Sequence, residues 1–75
     1  MRELLNSVET AFKMHTGIEQ CRVVNLKNSP GYAMEWIGDD EKIHHLPVAL
    51  EDLGGTSLKS TKWRVFMYVP QQYLL

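Results

Sequence analysis

His44 and His45 directly follow the acidic run Asp39-Asp40-Glu41, the densest grouping of titratable and metal-ligating side chains in the chain. A zinc site needs four convergent ligands, or three and a water. Adjacent residues of an extended segment point to opposite faces, so the two imidazoles diverge. Only His15 and Cys21, both distant in sequence, remain to complete a ligand set. The spacing therefore predicts an acidic turn followed by one outward and one inward histidine, with no metal and no other cofactor.

Cys21 is the single cysteine. A nucleophilic thiol needs a base, a cation or a helix N-terminus to hold it as thiolate, and beside Cys21 only Arg22 offers charge. The surroundings suit a small buried hydrophobe at the start of a strand. His15 is read as packing at a helix end, where either protonation state is tolerated. Gly54-Gly55-Thr56-Ser57-Leu58-Lys59-Ser60 has some of the composition of a phosphate loop. That loop requires glycine where Leu58 stands and a helix after the Lys-Ser pair, so a flexible connector is expected instead. With no paired carboxylates or nucleophile constellation at convergent spacing, no enzymatic activity is expected.

The C-terminal segment has more to offer. Residues 63 to 75 hold four of the chain's seven aromatics and no acid. Lys59, Lys62, Trp63 and Arg64, followed by Phe66 and Tyr68, interleave bases with aromatics. Single-stranded nucleic acid is held in this way, by stacking and phosphate neutralisation, and Arg22 and Lys27 could add to it. Eight bases against nine acids, for a formal charge of −1, is a poor balance for a dedicated nucleic-acid binder. Aromatic and arginine side chains of this kind also serve protein interfaces. Charge is unevenly spread: Glu35 to Asp52 carries six carboxylates against Lys42, whereas everything after Leu53 carries bases alone. Such polarity suits a charged partner or head-to-tail self-docking as well as a plain solvated surface.

The elements that position these groups follow from periodicity. Leu4, Leu5, Val8, Ala11, Phe12 and His15 recur on one helical face, and Gly17 is placed as a left-handed stop, which predicts an amphipathic helix over residues 3 to 15. From Cys21 to Lys27 the period becomes two. Asn28-Ser29-Pro30-Gly31 supplies turn chemistry, and Tyr32 to Ile37 reads as the returning strand. Pairing Leu26 with Met34 and Val24 with Trp36 gathers the larger apolar groups on one face. Gly38-Asp39-Asp40-Glu41 is a second turn, with Trp36 expected opposite Ile43, Glu35 opposite His44 and Met34 opposite His45. Pro47 to Leu53 reads as a short helix opened by proline and closed by Gly54-Gly55. Trp63 to Val69 is the last strand, apolar on both parities, with Trp63, Val65, Met67 and Val69 opposed by Phe66 and Tyr68. Pro70 ends it. The tail Gln71 to Leu75 either folds back or enters another chain.

The fold class expected is α+β. An N-terminal helix packs on an antiparallel sheet of three to four strands, with a short second helix near 47–53. Residues 1–75 form one domain, of which 70–75 is a docking tail. A domain of 75 residues buries only about 60% of the surface of its unfolded chain. One cysteine precludes an internal disulfide, so self-association is the least demanding reinforcement. A hydrophobic fraction of 44% and a charged fraction of 23% are those of a soluble globular chain. No apolar run nears the ~20 residues that cross a bilayer, and the first residues lack the apolar core of a signal peptide. A reducing, cytoplasmic location without a membrane partner fits the lone thiol.

The function these features predict is a small non-enzymatic protein-binding module: an inhibitor, adaptor or regulator of a larger assembly, of the kind phages and mobile elements carry. It is expected to form a homodimer through Phe66, Tyr68, Tyr73, Leu74 and Leu75. The alternative is an RNA- or single-strand-binding protein using Lys59, Lys62, Trp63 and Arg64.

Overall fold

A computed structural model describes residues 2–28, 31–53 and 63–75, the side chains of Asp52 and Trp63 apart. One helix, α1 (Arg2–Thr16), packs on a four-stranded antiparallel sheet of β1 (Cys21–Asn25), β2 (Tyr32–Ile37), β3 (Ile43–Asp52) and β4 (Trp63–Phe66). The strands lie in the order β1-β2-β3-β4 and curve into a half-barrel around the helix. A 3₁₀ turn at Gln71–Tyr73 closes the chain. The architecture is the α+β arrangement that the periodicity predicts. Among the described residues no helix is long and apolar enough to cross a membrane.

Leu5, Phe12 and Thr16 are the buried residues of α1, with Val8 packed against the core. The helix is thus rotated slightly from the face expected: Ala11 and His15 are exposed, and Leu4 lies at the border. Thr16 takes the inner position because its hydroxyl is satisfied there. It donates to the Phe12 carbonyl at 2.6 Å and accepts from the Ile18 N–H at 3.1 Å. Gly17 ends the helix in the left-handed region, φ 74°, and its N–H returns to the Lys13 carbonyl at 2.9 Å.

The first hairpin is paired differently from the expected alignment. Cys21 faces Trp36, Val23 faces Met34 and Asn25 faces Tyr32, a shift of three residues. The odd positions of β1 therefore enter the core, and Arg22 turns outward to meet Glu35. An odd-numbered slip always exchanges the faces. The strand stops at Asn25 rather than Lys27, and Leu26 closes the loop with an N–H to the Gly31 carbonyl at 3.4 Å. Ser29 and Pro30 of the expected turn lie outside the described residues.

The second hairpin is off by one residue. Ile37 faces Ile43, Trp36 faces His44, Glu35 faces His45 and Met34 faces Leu46. Gly38 and Lys42 close the turn with a 2.9 Å bond, Asp39 and Asp40 form its crest, and Glu41 adopts φ 63°. That is the three-residue hairpin whose last loop residue is left-handed. A non-glycine residue in that region is uncommon. Here the Asp40 carboxylate, which accepts the Lys42 N–H at 3.0 Å, fastens the turn.

No helix forms over 47–53; β3 runs unbroken from Ile43 to Asp52. Val48 is buried and Leu46 and Leu50 are half-buried, while Pro47 and Glu51 are exposed, so apolar alternation prevails over helical start and stop signals. The proline is tolerated because β4 pairs with β3 only from Ala49 to Asp52, leaving Pro47 a ladder neighbour on one side alone. The last strand is shorter than expected, Trp63–Phe66, yet alternating burial continues beyond it. Val65, Met67 and Val69 pack against the core; Arg64, Phe66 and Tyr68 are exposed.

Candidate functional site

The core-facing side of the sheet is closed by the chain itself. Trp36 sits at its centre, tilted against Phe12 with ring centroids 5.2 Å apart, stacked on His44 at 5.6 Å and met edge-on by Tyr73 at 5.3 Å. At the hairpin end of this stack a cleft of about 310 Å³ remains, lined by Ile18, Gly38, Asp40, His44 and Tyr73 among others.

On the outer face the strand register draws Arg22, Glu35 and His45 into one row across β1, β2 and β3. Arg22 donates from Nε and a terminal nitrogen to Glu35 Oε1, both at 3.2 Å, and His45 Nε2 lies 3.0 Å from Oε2. Hydrogen bonding from His45 and then Arg22 holds the Glu35 carboxyl below its ordinary range. His44, on the other face, meets both oxygens of Asp40 at 2.9 and 3.1 Å. That contact, with the Lys42 N–H, lowers the Asp40 carboxyl in the same way. The two histidines serve opposite faces and different carboxylates. Their sides are the reverse of those expected, because of the one-residue register change. Among the described residues no three His, Cys, Asp or Glu side chains gather where they could hold a metal ion.

Cys21 is buried, and burial pushes its thiol up, away from the thiolate a nucleophile requires. This agrees with a core role at the start of β1.

The C-terminal residues separate into two groups. Phe66 is 45% exposed and Tyr68 82% exposed, both outward. The Arg64 guanidinium lies 4.8 Å from the centre of the Phe66 ring and pairs with Glu51 across the β3–β4 ladder. Tyr73 instead packs inward on Trp36, and the Leu75 N–H donates to the His15 carbonyl at 2.9 Å. The tail thus folds back onto its own helix end, while the side chains of Leu74 and Leu75 remain exposed. Lys59 and Lys62 lie outside the described residues. Trp63 is placed by its backbone pairing with Asp52 only.

A second apolar area joins Ile37, whose parity sets it on the side of Phe66 and Tyr68, to Ile43, which the expected register turns inward. Ile37 and Ile43, paired at the end of the β2–β3 hairpin, are 69% and 63% exposed. They border a cleft of about 440 Å³ completed by Gln20, Cys21, Arg22, Glu35 and Trp36. The available signal was the parity of Ile37 against Trp36; the correct turn type would have placed Ile43 beside it. Comparison with protein-family models, with curated proteins and with solved structures finds no match for this chain.

Proposed function

We propose that this chain is a non-enzymatic protein-binding module, an inhibitor, adaptor or regulator of a larger assembly, which acts in the cytoplasm through the outer ridge of its C-terminal strand. The observation that carries this reading is the division of labour along residues 64 to 69. Val65, Met67 and Val69 complete the core, while Phe66 and Tyr68 project with Arg64 laid over the Phe66 ring. Outward aromatic side chains supported by arginine supply large contact area with few rotatable bonds, the composition of interface hot spots.

The charge at this ridge favours protein over nucleic acid. Among the described residues the cation nearest the exposed aromatics, Arg64, is paired with Glu51, which makes it less available to a phosphate. Affinity capture from source cells, with and without nuclease, using the wild type and a Phe66→Ser/Tyr68→Ser variant, tests the assignment. Protein partners that persist through nuclease and vanish with the double variant are expected. Partners lost to nuclease alone would replace this reading with single-strand binding. Partners retained by the double variant would remove the ridge from the interface.

A further inference from the structure

We propose that two copies of this chain pair antiparallel along the outer edge of β1, joining two four-stranded sheets into one. Among the described residues nothing pairs with that edge. The Leu26 N–H donates to Gly31, so Leu26 and the alternate residues Val24 and Arg22 direct their backbone groups toward β2. Cys21, Val23 and Asn25 therefore direct theirs to the open edge. Natural sheets guard such edges with short strands, charged side chains, proline, bulges or a covering element; β1, five residues long with Arg22 turned outward, has no proline, lysine or bulge.

The occupant is a second copy because the two ends of this edge complement each other. β2 runs one residue past the start of β1, leaving Ile37 beside Gln20 at the mouth of the 440 Å³ cleft. At the other end Leu26, 39% exposed, stands immediately past the strand. A two-fold axis at Val23 places Cys21 opposite Asn25 of the second copy and Gln20 opposite its Leu26. Each leucine then extends the row Gln20–Ile37–Ile43 on the outer face and packs beside Gln20 at the mouth of the cleft, and the symmetry makes this happen twice. The same register matches edge-facing backbone groups with edge-facing backbone groups. It also sets Arg22 against Val24 instead of against another arginine. No other register centred on this short strand satisfies all three conditions. The surface is distinct from the Phe66–Tyr68 ridge, so either can fail without the other. This pairing places the homodimer at β1 rather than at Phe66, Tyr68, Tyr73, Leu74 and Leu75, where the sequence suggests it.

Light scattering over a micromolar to submillimolar series should report twice the 8.7 kDa chain mass for the wild type. Leu26→Glu should give a monomer with unchanged circular dichroism, and Phe66→Glu should remain dimeric. A positive test uses geometry: facing hydrogen-bonded residues have Cα atoms about 5.5 Å apart, within the range a disulfide spans. Asn25→Cys should therefore form an oxidised dimer through Cys21 of the second copy, and Cys21→Ser/Asn25→Cys should not. A wild type monomeric throughout the series would overturn the proposal. So would a dimer that survives Leu26→Glu, or equal crosslinking without Cys21.

Discussion

Glu35 joins the first three strands through a single side chain. Its neighbours in register, Arg22 and His45, each donate to a different oxygen, so the carboxylate is worth more ionised than protonated. The consequence for stability has a definite sign. A carboxyl whose folded value lies below its unfolded one binds fewer protons in the native state, and stability then rises with pH across the interval between the two values. Glu35 and Asp40 are both lowered, from ordinary values of 4.5 and 3.8. Their contribution should be complete above the ordinary carboxylate range and disappear as pH falls through the lowered values. Urea unfolding at a series of acidic pH values should show this slope, and Glu35→Gln should flatten part of it. An unchanged slope would remove Glu35 from the account. Gly38 provides a second residue-scale test. A Cβ there would stand 2.6 Å from His44 Nε2 and 2.8 Å from Asp40 Oδ1, and His44 is held in place by its stack on Trp36. Gly38→Ala should separate the pair, so that the Asp40 carboxyl, followed by NMR titration, returns toward its ordinary value. The sequence revealed the acidic turn and the divergence of the two histidines. It did not reveal which histidine faces which carboxylate, because that depends on the single left-handed residue Glu41, which no composition rule selects.

At the scale of elements, α1 and β2 were legible because their signals are local. A 3.6-residue apolar stripe and a glycine stop define the helix, and Tyr32–Ile37 is a strand with turn residues on either side. The helix phase was legible to within about a quarter turn. The residual error came from treating Ala11 and His15 as core and overlooking Thr16, whose buried hydroxyl is satisfied by the backbone of its own helix end. β3 was hidden by conflicting local cues. Pro47 and the Gly54-Gly55 pair mimic helix boundaries, and only pairing with β2 and β4 makes the alternation of Leu46, Val48 and Leu50 decisive. β-structure is set by nonlocal partners in this way more often than helix is. The corrected helix face still yields a sharp contrast. Phe12, buried against Trp36, should cost about 3–5 kcal/mol on replacement by alanine. Lys13→Ala, which removes one exposed 3.8 Å pair with Glu9, should change stability by no more than about 0.5 kcal/mol. Equal shifts of the urea midpoint in the two variants would place the helix in a different rotation.

For the molecule as a whole, the difficulty is size. Seventy-five residues enclose a small core, and stability on the order of 0.05–0.15 kcal/mol per residue leaves little margin for a segment that contributes nothing. The tail answers part of this need from within. After β4 the chain crosses the core side with Met67 and Val69, turns at Gln71–Tyr73 and returns to the helix end, where Leu75 donates to His15. The C-terminal end of α1 and residue Leu75 are thereby fastened at one place, with a Leu75 methyl carbon lying 3.2 Å from where a Cβ on Gly17 would stand. The C-terminal aromatics consequently do two jobs that parity alone could distinguish only in the strand: Phe66 and Tyr68 stay outside, and Tyr73 joins the core. Replacing Tyr73 by alanine removes an edge-on contact with Trp36 and part of an aromatic burial. The expected loss is about 1–3 kcal/mol. Each kcal/mol should lower the melting temperature of a domain this size by about 4–8 °C. Tyr68→Ala, taken from an exposed position, should leave the melting temperature nearly unchanged. Thermal melts of the two variants in parallel separate the roles. A larger fall for Tyr68→Ala than for Tyr73→Ala would mean that the tail does not close this fold.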